Sequence, residues 1–144
     1  MDSAQMRFPV FRINEEHIQK FVQLSDLRPM SIKDFERGSA FRNAFFIDAD
    51  GRQFVILGAK LRRKSYHIKF WFAPSTVHLV DFDVAPPRSL GFEQTKQILS
   101  KRIVGRKWYG QGGESRAQFC ERFDRIADMD ELFDSMSFYG RWQG

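Results

Sequence analysis

Between residues 41 and 84, hydrophobic and polar positions alternate with a period of two, which is typical of half-buried β-strands. The segments with this pattern are rich in β-branched and aromatic residues, and they are NAFFID, QFVILGAKL, SYHIKFWF and TVHLVDFDV. Turn-forming sequences separate them, namely DADG, RRK and APS. Because connections this short join antiparallel neighbours, the pattern predicts a four-stranded meander. RFPVFRI is a candidate for a fifth strand, and Pro86 and Pro87 are expected to end the last one.

Outside this region the hydrophobic positions recur at helical spacing. NEEHIQKFVQL predicts a helix with Asn14 as its N-cap, and SIKDFER predicts a short helix capped by Ser31. Beyond the two prolines, three further helices are predicted in LGFEQTKQILSKR, in the segment around Phe119 and Phe123, and in MDELFDSM. We therefore predict a single α+β domain over residues 1–144, with an antiparallel sheet of four to five strands and helices packed on one face.

The composition fits a soluble domain with one packed core. The chain has 144 residues, of which 42% are hydrophobic and 16 are Phe. Its apolar runs are much shorter than the ~20 residues that span a bilayer, and the N-terminal residues do not resemble a secretory signal. With one cysteine in the chain, a reducing compartment is expected. We expect a cytoplasmic protein without a membrane partner.

The positive charge is concentrated in the middle of the chain. Residues 52–107 contain 12 basic and 3 acidic side chains, a net charge of +9, whereas residues 1–51 carry −1 and residues 108–144 carry −3. A segment of this kind attracts an anionic partner, which could be nucleic acid, a phosphorylated ligand or an acidic protein surface. A solvated charged face that only aids solubility is the alternative.

Within this segment, cations occur beside aromatic residues in a hairpin at 60–71 and a loop at 101–109. The glycine-rich sequence GRKWYGQGG lacks P-loop spacing and is expected to form a mobile loop that exposes Trp108 and Tyr109. Arg, Trp and Tyr are enriched at protein–protein hot spots, while cations interleaved with aromatics also bind single-stranded nucleic acids. The candidate partner-binding residues are Arg62, Arg63, Lys64, Lys69 and Trp71 on the hairpin and Arg106, Lys107, Trp108 and Tyr109 on the loop.

The sequence offers little that is typical of an enzyme. Three scattered histidines and one cysteine do not make a zinc site, which needs four closely spaced ligands. A turn centred on Pro74 would place His67 opposite Asp81, and such a pair can orient an imidazole as a general base. No nucleophile accompanies that pair. We therefore expect a protein with no catalytic residues, no metal and no cofactor.

The order of elements resembles that of small bacterial immunity proteins, including those of contact-dependent growth-inhibition systems. The matching features span roughly residues 30–138 and are DADGRQFVILGA, IKFWF, LGFEQTKQILSKR and MDELFDSMSFYG. The resemblance implies a non-enzymatic inhibitor that binds one cognate toxin and blocks its active site or substrate groove. Immunity proteins that oppose nucleases are often acidic, so the +9 segment departs from that pattern. It implies either an acidic toxin surface or contact through the acidic C-terminal region. Nucleic-acid binding by the same residues is the alternative function.

Overall fold

The computed structural model describes residues 5–38, 41–69, 74–136 and 138–140, with the backbone alone for 63–69, 74–77 and 111–112. Its strands are β1 (Val10–Ile13), β2 (His17–Phe21), β3 (Pro29–Ser31), β4 (Phe45–Ile47), β5 (Arg52–Lys69), β6 (Pro74–Val84), β7 (Arg88–Ser89) and β8 (Phe138–Gly140). Its α-helices are α1 (Leu24–Leu27), α2 (Ile32–Arg37), α3 (Gly91–Gly105), α4 (Arg116–Asp124) and α5 (Met129–Ser135), with a 3₁₀ helix at Trp108–Gly112.

The eight described strands form one antiparallel sheet in the order β3-β6-β5-β4-β1-β2-β8, and β7 pairs with the start of β5. The sheet curls on itself, which brings Phe82 of β6 edge-on to Phe46 of β4, with ring centroids 5.2 Å apart. The predicted α+β class and antiparallel sheet are confirmed. The prediction of four to five strands was too low, because short strands at both edges have little periodicity for the sequence to reveal.

Both faces of the sheet are buried. Side chains alternate across a strand, so β1 directs Phe11 toward α3, α4 and α5 and Val10 toward the concave interior of the curl. The three C-terminal helices lie on one face, as expected. The two short N-terminal helices do not, since Leu27 of α1 and Phe35 of α2 belong to the cluster on the other face.

The predicted helix at NEEHIQKFVQL is wrong, because this segment contains β2. Asn14 is not an N-cap; its Oδ1 accepts hydrogen bonds from the backbone N–H groups of Glu16 and His17, each at 2.9 Å. These bonds close the turn between β1 and β2. Pairing of β2 with both β1 and β8 then outweighs the helical spacing of its apolar residues.

The predicted turn at RRK is also wrong, since β5 continues through it as one strand of 18 residues. RRK contains no residue that favours a turn conformation, and β6 supplies a partner strand along its length. Register shifts between Leu61 and Arg63 and between Arg63 and Tyr66 accommodate the polar run as β-bulges. The middle of the sheet is therefore a three-stranded meander of β4, β5 and β6.

The register of this hairpin differs from the one predicted. Lys69 pairs with Pro74, so the connection falls at 70–73 and is not centred on Pro74. His67 consequently lies opposite Thr76, whereas Asp81 lies opposite Lys60. The predicted His67–Asp81 pair does not form.

Other sequence predictions are confirmed. RFPVFRI supplies β1, and Ser31 caps α2, its Oγ accepting from the backbone N–H of Asp34 at 3.0 Å. The hydrophobic stripe of LGFEQTKQILSKR forms the inner face of α3, where Thr95, Leu99 and Ile103 are buried. Helix α5 covers most of MDELFDSM.

Candidate protein-interaction surface

The cationic end of α3 lies at the same end of the sheet as the outgoing half of β5. Strand β4 pairs antiparallel with both β1 and β5, so β1 and β5 run in the same direction. Helix α3 starts beside Gly51, whose carbonyl accepts from the N–H of Leu90 at 2.9 Å. It ends beside the terminus of β1, where Nη1 of Arg102 donates to the carbonyl of Asn14 at 2.7 Å. The last turns of α3 and the part of β5 beyond Leu57 therefore lie toward the same end of the sheet.

A groove of about 430 Å³ runs along the end of α3, and its lining residues are Ile98, Lys101, Arg102, Gly105 and Arg106. None of these lining residues carries a carboxylate that could pair with the three cations. Burial lowers the pKa of Arg102, and the charge of Arg106 lowers it further, against the opposing effect of Glu15. The C-terminal end of the helix dipole favours cations here, but their mutual repulsion persists. An anionic group in the groove would relieve it.

Exposed apolar residues lie on β5, in a row that starts at the end of β1. Ile13, Phe45 and Val55 lie side by side on neighbouring strands and share the face that packs against the helices. The helices cover only the first part of that row. Ile13 is fully buried, Val55 is 47% exposed, and Leu57 at the adjoining bulge is 64% exposed.

Arg102 joins the apolar and cationic parts, because its guanidinium lies over the ring of Phe45 at 5.9 Å from the centroid. We call the set formed by Val55, Leu57, Lys101, Arg102 and Arg106 the α3–β5 surface. It combines an uncovered apolar sheet face with a cationic edge.

The predicted hairpin residues contribute less free charge than the sequence suggested. Arg62 is exposed, but its Nη1 lies 3.4 Å from Oδ2 of Asp81, and Oδ1 of the same carboxylate accepts from Nε of Arg28 at 3.2 Å. Arg62 is thus paired within the sheet and is not a free cation. The predicted residues Arg63, Lys64 and Lys69 lie on β5 with only their backbone described, and Trp71 lies outside the described residues.

The loop residues divide into two pairs. Arg106 and Lys107 are exposed, as predicted. The expectation that Trp108 and Tyr109 are presented to solvent is wrong: Trp108 is only 6% exposed in the helical core, and Tyr109 is half-buried with its ring 6.4 Å from Phe119.

Local backbone geometry explains this burial. Lys107 has a left-handed conformation, with φ of 56°, that turns the chain at the end of α3. The following glycine-rich segment continues as a 3₁₀ helix instead of a mobile loop. The two aromatic residues therefore hold the cationic end of α3 against the core, and Trp108 is not itself available to a partner.

Val55 and Leu57 were missed as candidates by the sequence reasoning. A signal was present, because Phe54 to Leu57 are four consecutive apolar residues, and a half-buried strand needs only every second one. The excess apolar residues indicate that both faces of this part of the strand are suited to burial.

No family model matches this chain, and comparison with curated proteins and with solved structures likewise finds no match. Within the part of the chain that the structure describes, no helix has the length and apolar character needed to cross a bilayer. Nor do the described His, Cys, Asp and Glu residues form a group of three or more that could hold a metal ion.

Proposed function

We propose that this protein is a non-enzymatic, cytoplasmic binding module that engages an acidic protein partner through the α3–β5 surface. The carrying observation is the combination of a groove lined by three cations at the end of α3 with two exposed apolar residues on β5, Val55 at 47% and Leu57 at 64%. Apolar residues bordered by Arg and other polar groups are typical of protein interfaces.

In this proposal the protein acts as an inhibitor of the immunity or antitoxin type, as the resemblance in element order implies. The partner is then a toxin with an acidic patch beside its active site or substrate groove. The cations of the α3–β5 surface steer association, and the apolar residues supply the desolvated centre of the contact. Inhibition follows from occlusion of the toxin's substrate, which requires no chemistry from this chain.

A nucleic-acid partner is the second candidate, because Lys101, Arg102 and Arg106 could neutralise successive phosphates. Binding of single strands also uses exposed aromatic rings as stacking platforms. Of the aromatic residues predicted for that role, Trp108 is buried and Tyr109 is half-buried, and Trp71 lies outside the described residues. The exposed apolar residues of β5, Val55 and Leu57, are aliphatic, which favours the protein partner.

The test is affinity capture from the producing cells with four purified baits. These are the wild type, Leu57→Asp, Arg106→Glu and the charge-matched control Arg125→Glu on α4. We expect an acidic protein to be retained by the wild type and by Arg125→Glu and to be lost with the other two.

A nucleic-acid binder would be recognised by the nature of the retained material and by its salt dependence. The retained material would be sensitive to nuclease, and fluorescence anisotropy with labelled DNA or RNA would show affinity falling by orders of magnitude between ~50 and 200 mM salt. That result would overturn the protein-binding proposal.

A further inference from the structure

Arg12 is a buried cation whose charge no carboxylate of the described residues neutralises through an ion pair. The residue is 8% exposed, and its Nε has no hydrogen-bond partner. Its guanidinium makes one long hydrogen bond, from Nη2 to Oε1 of Gln19 at 3.3 Å. Guanidinium groups carry five donors, and buried donors are nearly always satisfied. An under-satisfied buried arginine therefore requires an explanation.

Aromatic rings flank this guanidinium without replacing a counter-ion. Its Cζ lies 4.9 Å from the centroid of Phe21 and 6.0 Å from that of Phe82. Cation–π contacts offset part of the cost of removing a charge from water, but that cost is large. Desolvation accordingly lowers the pKa of Arg12 to about 10, against the opposing charge of Asp34.

The guanidinium lies where two edges of the curled sheet approach each other. Asp34 belongs to α2, which follows edge strand β3, whereas His17 belongs to β2, which pairs with edge strand β8. Both residues are near enough to interact electrostatically with each other, and His17 also with Arg12. The carboxylate of Asp34 is half exposed, and its Oδ1 lies 3.7 Å from Nη2 of Arg37. The mouths of curled and closed sheets commonly hold small ligands.

We infer that Arg12 anchors a binding site for a small organic monocarboxylate on the concave side of β1, beside Phe21 and Phe82. The planar guanidinium matches a carboxylate through two parallel hydrogen bonds. One uncompensated cation balances one negative charge, whereas a phosphate dianion would leave an excess charge in an apolar interior. The rings of Phe21 and Phe82 suit a ligand with an apolar, preferably flat, body.

This site is separate from the α3–β5 surface. Arg12 lies between Phe11 and Ile13 on β1, and those two face the helices. Alternation along the strand therefore places Arg12 on the opposite, concave face. The inference does not depend on the proposed protein partner.

His17 provides a reporter for occupancy of the site. Burial and the charge of Arg12 lower the pKa of His17 to about 4, opposed by Asp34. A bound carboxylate would neutralise Arg12 and remove the second of these causes. The pKa of His17 should then rise by about one unit.

The experiment titrates the whole protein with sodium benzoate and sodium acetate, using sodium chloride at equal ionic strength as the reference. Benzoate is expected to raise Tm in a saturable manner and to raise the pKa of His17 measured by NMR, with acetate weaker. Arg12→Met should lose both responses, whereas Arg28→Met, which removes an arginine already paired with Asp81, should keep them. Without ligand, Arg12→Met should be at least as stable as the wild type, because it removes an uncompensated buried charge.

Three outcomes would overturn the inference: no response of Tm or of His17 to either carboxylate, an unchanged response in Arg12→Met, or an equal response to sodium phosphate. The first and third are measured on the wild type, so they decide the question even if Arg12→Met does not fold.

Discussion

Acidification between pH 7 and pH 5 should destabilise this fold through His17. The ring of His17 stacks on Phe138 with centroids 5.5 Å apart, and its Nε2 lies 3.3 Å from Nδ2 of Asn14. Burial first, and the charge of Arg12 second, lower the pKa of His17 from 6.5 to about 4 in the folded protein. Between pH 6.5 and about pH 4, His17 is protonated in the unfolded chain but stays neutral in the folded protein. The contribution of His17 is therefore complete above pH 6.5 and is lost as the pH falls toward 4.

The magnitude follows from the two pKa values. The difference between 6.5 and about 4 corresponds to about 3 kcal/mol at full acidification, at about 1.4 kcal/mol per pKa unit. The imidazole is only partly buried, so solvent screening reduces this value. We expect a loss of about 1 kcal/mol in the free energy of unfolding between pH 7 and pH 5 that is attributable to His17.

The assay is urea denaturation at pH 7 and pH 5 for the wild type and for His17→Gln. Carboxylates elsewhere titrate equally in both proteins, so the difference between their pH-dependent losses isolates His17. Equal losses, or an NMR pKa of His17 near 6.5, would refute the reasoning. In Arg12→Met the pKa of His17 should rise and the pH-dependent loss should shrink.

Three substitutions test the packing around the two sites. Trp108→Ala should lower the free energy of unfolding by about 3–5 kcal/mol in thermal or urea denaturation, whereas an exposed side chain would give almost no change. Asp48→Ala should cost about 3 kcal/mol or more by the same assays, because this fully buried carboxylate accepts from Nη2 of Arg52 at 2.7 Å and from several backbone N–H groups. Gly140→Ala should lower the free energy of unfolding more than the surface replacement Gly105→Ala. An added Cβ at Gly140 (φ 145°) would overlap Cβ of His17 and the carbonyl of Glu16. Equal stability of the two variants would contradict this.

The elements that the sequence predicted well are those whose pattern is local. The cap of α2 and the buried stripe of α3 depend on residues three or four positions apart, and both form as predicted. Failure occurred where distant pairing decides the outcome. In β2, apolar positions at helical spacing coexist with two partner strands that come from opposite ends of the chain, β1 and β8.

Predictability of the candidate site has the same limit. The cations at the end of α3 were visible as a run in the sequence, and Arg106 and Lys107 are exposed as expected. The burial of Trp108 was not predictable, because it depends on the left-handed conformation of Lys107 and on a core assembled from several elements. Nor could a linear pattern reveal that the helices stop short of Val55 and leave the face of β5 uncovered.

The most direct measurement is site-specific photo-crosslinking in the producing cells, with p-benzoylphenylalanine at position 57 or at position 22. Leu57 and Val22 are matched in exposure, at 64% and 63%, but only Leu57 belongs to the α3–β5 surface. We predict an adduct with an acidic protein from position 57, no such adduct from position 22, and loss of the adduct when Arg106→Glu is added. Equal crosslinking from both positions, or an adduct with nucleic acid from position 57, would contradict the proposal that this surface binds a protein.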